Sequence, residues 1–277
     1  MSDASVYYIF QTCMATDIGC VRTSNQDSIA FVSPGDPDER KRRGVLAVVA
    51  DGMGGHNGGE VASKLAVDTI CSHYFAAHDD DPLHTIEQAL REANAAIFRA
   101  AEADRALSGM GTTATVLALS GRGMWFGHVG DSRLYRCSHG QVTQLTKDDT
   151  LVEQLVNEGL ISPEHARYHP ERNVLLRSLG TRPDLRVTAQ VGDPPEVGDY
   201  FVLCSDGLYD CVDAPEIAQV VESSDPQVAC RRLIELARER GGSDNISVGI
   251  IAVRLPEAVE RPIPVTREMV TSNLEVR

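Results

Sequence analysis

Apolar positions along the chain fall mostly into short runs broken by turn-forming residues. Val45–Ala50 (VLAVVA) is unbroken, which predicts a strand with both faces buried. Thr112–Leu119, Met124–Val129, Leu134–Cys137 and Val142–Leu145 follow one another with only turns between, among them Ser120-Gly-Arg-Gly123 and Ser138-His-Gly140. Such residues suit hairpins. Tyr200–Cys204 and Ile246–Val253 are two further strands. Strands that succeed one another with no helix between them pair antiparallel.

Helical periodicity is confined to fewer places. Leu83, Ile86, Leu90, Ala93 and Ile97 step by three and four residues and build one apolar stripe. Glu60–Ala77 has helical composition and follows a glycine-rich loop. Ile217–Arg240 contains another helix, with Leu233, Ile234 and Ala237 facing inward. This order of elements predicts an α+β fold with antiparallel sheets. A doubly wound parallel sheet would need helices within 112–145, where the pattern places none.

Three segments read as peripheral. Ser33–Gly44 (SPGDPDERKRRG) predicts an exposed connection between strands. In 147–180, Leu151, Leu155 and Val156 predict a short helix stopped at Gly159, and Ser162-Pro163-Glu164 a second helix start. That segment carries too little apolar surface for a core of its own, so it predicts a mobile flap leaning on the main body. Past Arg254 the chain turns polar, with Pro256, Pro262 and Pro264. The organisation expected is one domain over 8–254, with a flap at about 147–180, and a peripheral tail over 255–277.

Composition narrows the function classes. A net charge of −14 is a poor match to nucleic acid, whose phosphates call for basic side chains. The seven cysteines are odd in number and include no C-x-x-C. They predict reduced thiols in a cytoplasmic protein rather than a disulfide framework or a zinc ribbon. No run of 18 apolar residues and no basic-then-apolar start is present, so neither a membrane span nor a signal peptide is expected.

The chemistry concentrates at the ends of apolar runs. Val48-Val-Ala-Asp51-Gly52, Val129-Gly-Asp131-Ser132 and Val202-Leu-Cys-Ser-Asp206-Gly207 share one arrangement, and Asp244 stands just before the last run. Aspartate beside glycine is ordinary turn chemistry, and any one of the four reads that way by itself. Four carboxylates at one sheet edge repel one another unless protonated or bridged by cations. All-oxygen ligands suit magnesium and manganese. Two such ions about 3.5–4 Å apart form a clamp for in-line attack on phosphorus.

Ordered motifs then run along the chain. They are Asp17-Ile-Gly, Arg22 and Asn25-Gln-Asp27; Asp51-Gly-Met-Gly-Gly-His56; Gly109-Met-Gly-Thr-Thr-Ala-Thr115; Val129-Gly-Asp-Ser-Arg133; and Leu145-Thr-Lys-Asp-Asp149. After these come His169-Pro-Glu-Arg-Asn173 with Leu179-Gly180, Leu203-Cys-Ser-Asp-Gly-Leu208 and Gly242-Ser-Asp-Asn-Ile246. In this set the chain resembles the bacterial branch of the metal-dependent protein phosphatases, the protein phosphatase 2C-type family, over roughly residues 12–253.

The resemblance implies a four-layer α-β-β-α sandwich with a variable flap beside the metals. It implies hydrolysis of phosphoserine and phosphothreonine on proteins by a hydroxide bridging two Mn2+ or Mg2+ ions. By resemblance, Asp51 bridges the two, Asp206 and Asp244 complete one, and the Gly52 carbonyl serves the other. Asp131, shared with Asp206, matches the ligand of a third, weaker ion. Asp27 matches the acid that hydrogen-bonds metal-bound water, and Arg22 the residue that grips phosphate. Gln26 stands where some members carry a glutamate, and Met53 where some carry a histidine. His56, the nearest histidine, is the candidate acid for the leaving alkoxide.

The partners implied are phosphorylated proteins and a serine/threonine kinase whose action the chain reverses, with no nucleic acid, no membrane and a monomeric state. The alternative is a catalytically inactive domain that binds phosphoproteins. The presence of every main metal aspartate speaks against it.

Overall fold

The computed structural model describes residues 8–54 and 58–256. In chain order the first elements are β1 (Ile9–Asp17), β2 (Asp27–Val32), α1 (Pro37–Arg43), β3 (Val45–Met53), α2 (Gly58–Ala76) and α3 (Pro82–Ala103). A run of strands follows, namely β4 (Gly111–Thr112), β5 (Ala114–Ser120), β6 (Gly123–Val129), β7 (Arg133–Ser138) and β8 (Gln141–Gln144). Then come α4 (Leu151–Asn157), α5 (Pro163–Arg167), β9 (Thr188–Gly192), β10 (Tyr200–Cys204), α6 (Asp206–Tyr209), α7 (Ala214–Glu222), α8 (Pro226–Glu239) and β11 (Ile246–Arg254).

Strand β3 shows why the apolar run is unbroken. Leu46, Val48 and Ala50 enter a core shared with α2 and α3. Val45, Ala47 and Val49, on the opposite face, enter a core shared with Phe201, Leu203, Ile251 and Val253 of the other sheet. Successive strand side chains alternate between faces, so a strand covered on both sides has no position for a polar residue.

The same logic sets the whole architecture. One sheet runs β1-β11-β10-β7-β8 and the other β2-β3-β5-β6-β9, with β4 paired to β3. Every pairing is antiparallel. Helices α2 and α3 cover the outer face of the β3 sheet, and their inward stripe includes the expected Ile86, Leu90, Ala93 and Ile97. Helices α7 and α8 cover the outer face of the β11 sheet through Ile217, Val221, Leu233 and Ala237. The result is a four-layer α-β-β-α sandwich with three apolar cores.

The structure departs from the pattern-based elements in instructive places. Ser33–Gly44 is not purely a loop, because α1 forms within it. Asp36 caps α1 by accepting from the Asp38 backbone N–H at 2.9 Å. Arg43 at its end is buried: its guanidinium donates to the Ala77 carbonyl and lies 5.7 Å from the Tyr74 ring centre. The helical region before β11 is two helices, since Asp225 caps α8 and Pro226 fills its first turn, a position proline favours.

Between β8 and β9, α4 is capped by Glu158, followed by Gly159 at φ 71°. Ser162 then caps α5, its hydroxyl accepting from the His165 N–H at 3.3 Å. Among the described residues no helix is long and apolar enough to cross a membrane. The seven cysteines are free thiols.

Candidate metal centre

Two sheet edges meet at one end of the sandwich. On the first, β2 and β3 pair so that Asp27 stands opposite Asp51. Like charges directly across a ladder are destabilising, so this register is tolerated for a reason other than stability. The Asp51 backbone is fixed from both sides. Its N–H donates to the Thr113 hydroxyl at 2.9 Å, and its carbonyl accepts from Thr113 N–H and the Thr112 hydroxyl, each at 2.8 Å.

The other sheet contributes Asp206 and Asp244. Asp206 opens α6 directly after β10, and Asp244 precedes β11. A Cβ at Gly207 would lie 2.0 Å from the Asn245 carbonyl oxygen, so only glycine lets these two segments approach. The sheets are stitched together here. The Ser205 hydroxyl donates to Asp27 at 2.7 Å and accepts from the Ser247 N–H at 3.0 Å.

Asp131 sits on the tight turn after β6. Gly130 at φ 103° makes that turn, a conformation costly to residues with a Cβ. The turn is braced on every side. Thr113 and Ser132 share a hydroxyl hydrogen bond of 2.6 Å, and the Thr115 hydroxyl donates to the Ser132 carbonyl at 2.7 Å. Gly130 exchanges two backbone bonds with Asp149, one to its carboxylate and one from its N–H. His128 links Thr115 and the Gly130 carbonyl, at 3.0 and 2.8 Å, so it is a scaffold residue.

The electrostatics follow from packing. Burial raises the Asp27 carboxyl to about 6, against the pull of hydrogen bonds from Ser247 and Ser205. Burial, then repulsion from Asp148, raises Asp131 to about 7. Asp51 and Asp206 are pushed well above the usual carboxylate range, first by burial, then Asp51 by Asp27 and Asp206, and Asp206 by Asp131 and Asp244. Asp210, one helical turn after Asp206, is raised by burial as well, with Arg172 and Arg133 opposing. Among the described residues, the Asp27 Oδ1 and Asp206 Oδ1 oxygens are buried without a hydrogen-bond partner.

Unpartnered buried carboxylate oxygens are costly, and a cluster of them fits a hard divalent cation. No three histidine, cysteine or acidic side chains among the described residues close into a ready-made cage. The arrangement is an open acidic bowl, the form suited to cations that keep water and carbonyl ligands.

Arg22 stands at the rim. Its Nη2 donates to Asp244 Oδ2 at 2.7 Å while about half the side chain stays exposed. The hydrogen bond and charge of Asp244 raise its pKa further, and the charges of Asp206 and Asp51 add to them. Its loop is clipped to the turn that carries Asp244. Asn245 accepts from Gln26 N–H at 2.8 Å and donates to the Ile18 and Ser24 carbonyls, each at 3.0 Å. Arg238 grips Asp17 at 2.7 Å.

The structure thus brings Arg22, Asp27, Asp51, Asp131, Asp206 and Asp244 together. Gly52 lies beside them, its N–H on the Gln26 carbonyl at 3.0 Å and no room for a Cβ against Gly59. His56 lies outside the described residues. Sequence reasoning missed Asp210, although its spacing of four from Asp206 was a usable helical signal. It also missed the supporting work of Ser205 and Thr113, while the packing role that sequence leaves to a motif-free histidine is the one His128 fills.

A cleft of about 920 Å³ lies beside this bowl and shares Asp131 with it. Asp131, Tyr209 and Asp210 line it from the sandwich, and α4, α5 and Tyr168 line it from the segment between β8 and β9.

Comparison with known proteins gives consistent matches. The family profile described as protein phosphatase 2C matches residues 21–236. Serine/threonine protein phosphatase PstP of Mycobacterium tuberculosis is 38% identical over 256 residues, covering 90% of this chain and 46% of that protein. The chain therefore spans about half the length of that relative. Protein phosphatase PhpP of Streptococcus pneumoniae is 33% identical, covering 88% of this chain and 98% of PhpP. Among solved structures, the catalytic domain of PstP in complex with two manganese ions aligns at TM-score 0.77 and 36% identity, covering 89% of this chain and 99% of that one.

Proposed function

The chain belongs to the protein phosphatase 2C family, and we propose that it hydrolyses phosphoserine and phosphothreonine on proteins at a centre of two Mn2+ or Mg2+ ions. The observation that carries this reading is the convergence of buried, mutually repelling carboxylates from two sheets beneath one half-exposed arginine. Asp51, Asp206 and Asp244, with the Gly52 carbonyl, would hold the two ions. Asp131 and Asp206, with Asp210 beside them, would hold a weaker third. When bound, such cations neutralise charge at phosphorus and supply a nucleophile from water at neutral pH.

The chain's own groups supply the rest. Asp27 keeps Oδ1 free, so it orients the attacking water and receives its proton. Its place between Ser205 and the opposed Asp51 fixes that oxygen. Arg22 offers a planar fork to two phosphate oxygens and takes up charge that develops in the transition state. Its bond to Asp244 aims the fork into the bowl. His56 is the candidate acid for the leaving alkoxide, with a water as its substitute. The flap at about 147–180 borders the cleft and selects among protein substrates. In this reading the enzyme acts as a cytoplasmic monomer over 8–254 and reverses a serine/threonine kinase.

The test uses metal-stripped protein and a phosphothreonine peptide, with excess Mn2+ or with chelator. Phosphate release confined to the Mn2+ arm supports the reading. Undiminished release in chelator refutes it. Tight peptide binding with no release in either arm favours the inactive regulatory domain.

A further inference from the structure

The cleft beside the acidic bowl contains four arginines, and they are not alike. Arg133 pairs with Asp148 at 2.7 Å and lies 3.6 Å over the Tyr209 ring centre. Arg240 pairs with Glu216 at 2.6 Å, and Arg172 lies 3.7 Å from Asp210. Arg167, at the end of α5, has no ion pair or hydrogen bond from its side chain among the described residues, yet it lines the same cleft as Asp131.

The acids of the cleft do not answer it. Asp148 is taken by Arg133, Asp210 by Arg172, and Glu153 stands 3.7 Å from Lys147. Asp213 caps α7 through the Glu216 N–H at 2.9 Å. Next to Arg167, Tyr168 leaves 85% of its surface in water. An exposed ring beside an unpaired guanidinium combines an apolar contact surface with a charged one.

We propose that Arg167 and Tyr168 form a subsite for an anionic residue flanking the phosphorylated one, either a carboxylate or a second phosphate on the same polypeptide. The proposal rests on the phosphatase reading, and it names the substrate class that this centre prefers. The occupant is an extended segment of the phosphoprotein substrate. It runs through the cleft from the reacting residue at the bowl, and the cleft exceeds what one phosphorylated side chain requires. In a chain of net charge −14 the overall field disfavours an acidic peptide, so an unpaired cation in the cleft has a large effect on choice. Tyr168 packs against the peptide backbone and the stem of the flanking residue.

The experiment compares four substrates: a phosphothreonine peptide with alanine flanks, the same with glutamate flanks, the same with a second phosphothreonine, and p-nitrophenyl phosphate. Wild type is expected to favour an anionic-flanked peptide over the alanine peptide in kcat/KM by about tenfold, the scale of one charge-assisted pair. The more favoured of the glutamate and diphosphorylated peptides identifies the anion. Arg167→Ala should erase the preference and Arg167→Glu reverse it, with p-nitrophenyl phosphate turnover unchanged. Arg167 has no side-chain partner, so both variants keep the fold.

Equal treatment of neutral and anionic peptides by wild type overturns the proposal. So does a preference that survives Arg167→Ala, or one that Arg99→Glu on α3 abolishes equally, which would mark a diffuse field. Fluorescence anisotropy of peptide binding reads the subsite without turnover. A wild type that fails on p-nitrophenyl phosphate yet still binds anionic peptides through Arg167 would therefore sink the phosphatase reading and not this one.

Discussion

At the mouth of the sandwich, Asp27 and Asp131 are less than a tenth exposed, and the strand residues beside Asp51 and Asp206 are buried outright. Across the cleft, Tyr168 is 85% exposed and Leu160 65%, and α4 and α5 span only seven and five residues. The first region is held by sheet ladders, by Ser205 and by the Thr113–Ser132 pair. The second is tied down chiefly by a short exchange between Thr112 and Leu179, by backbone bonds linking 149–151 to 174–176, and by the Arg177–Asp149 pair. A cluster of repelling charges needs a scaffold that cannot relax away from it. A surface that admits different polypeptides needs the opposite, and segments with few buried apolar contacts open at low free-energy cost. Chemistry and choice are thus assigned to different parts of one cleft, and each assignment can be broken separately.

The largest effect is expected at the bowl. Asp51→Asn, Asp206→Asn and Asp244→Asn should each lower kcat about a hundredfold or more, on phosphopeptide and aryl phosphate alike. Metal-free Asp51→Asn and Asp206→Asn should melt at or above wild type, because each removes an acid crowded by burial and like charges. A folded Asp206→Asn protein with near wild-type turnover would contradict the assignment. Asp131→Ala should come next, keeping two bound ions while losing most peptide phosphatase activity. Three ions per chain in that variant, counted by metal analysis or crystallography, would refute the role given to Asp131.

At the rim, Arg22→Lys should raise KM for phosphopeptides by about tenfold, with a smaller change in kcat, since lysine keeps the charge and loses the fork. An unchanged KM would remove Arg22 from phosphate binding. The smallest change in overall rate belongs to the flap. Exchanging residues 150–168 for those of a relative should leave aryl phosphate hydrolysis similar while reordering preference among phosphopeptides. If both substrates respond in parallel, the flap is not a selectivity element and the comparison collapses.

Much of this division was legible along the chain. Val45–Ala50 announced a strand covered on both faces, and the bowl acids stood out because three of them end apolar runs beside glycine. Other parts were hidden for physical reasons. Strand β1 (IFQTCMATD) mixes polar and apolar residues because it is an edge strand with partly exposed faces. Helix α1 looked like a charged loop because the partners of Arg43 lie far along the chain: it donates to the Ala77 carbonyl just past α2 and to Thr85 of α3, and its own carbonyl accepts from the Tyr74 hydroxyl. The supports of the site act at long range: Ser205 reaches Asp27 across 178 positions and Asn245 reaches Gln26 across 219. No local pattern marks such pairs.

The central claim is that the buried acids are a divalent-cation centre, and their protonation makes it testable by titration. Asp27 and Asp131 are raised from 3.8 to about 6 and about 7, so the folded metal-free protein holds protons that the unfolded chain has released. Their destabilisation is absent below the unfolded value, grows as pH rises and is complete above about 7. A cation must displace those protons, so binding should tighten across the same window. The direct measurement is calorimetric titration of metal-stripped protein with Mn2+ at pH 5.5 and pH 8. The account expects saturable binding of two ions at pH 8, markedly weaker binding at pH 5.5, and proton release on binding. An absence of saturable binding at pH 8, or an affinity that does not change between the two, would contradict it.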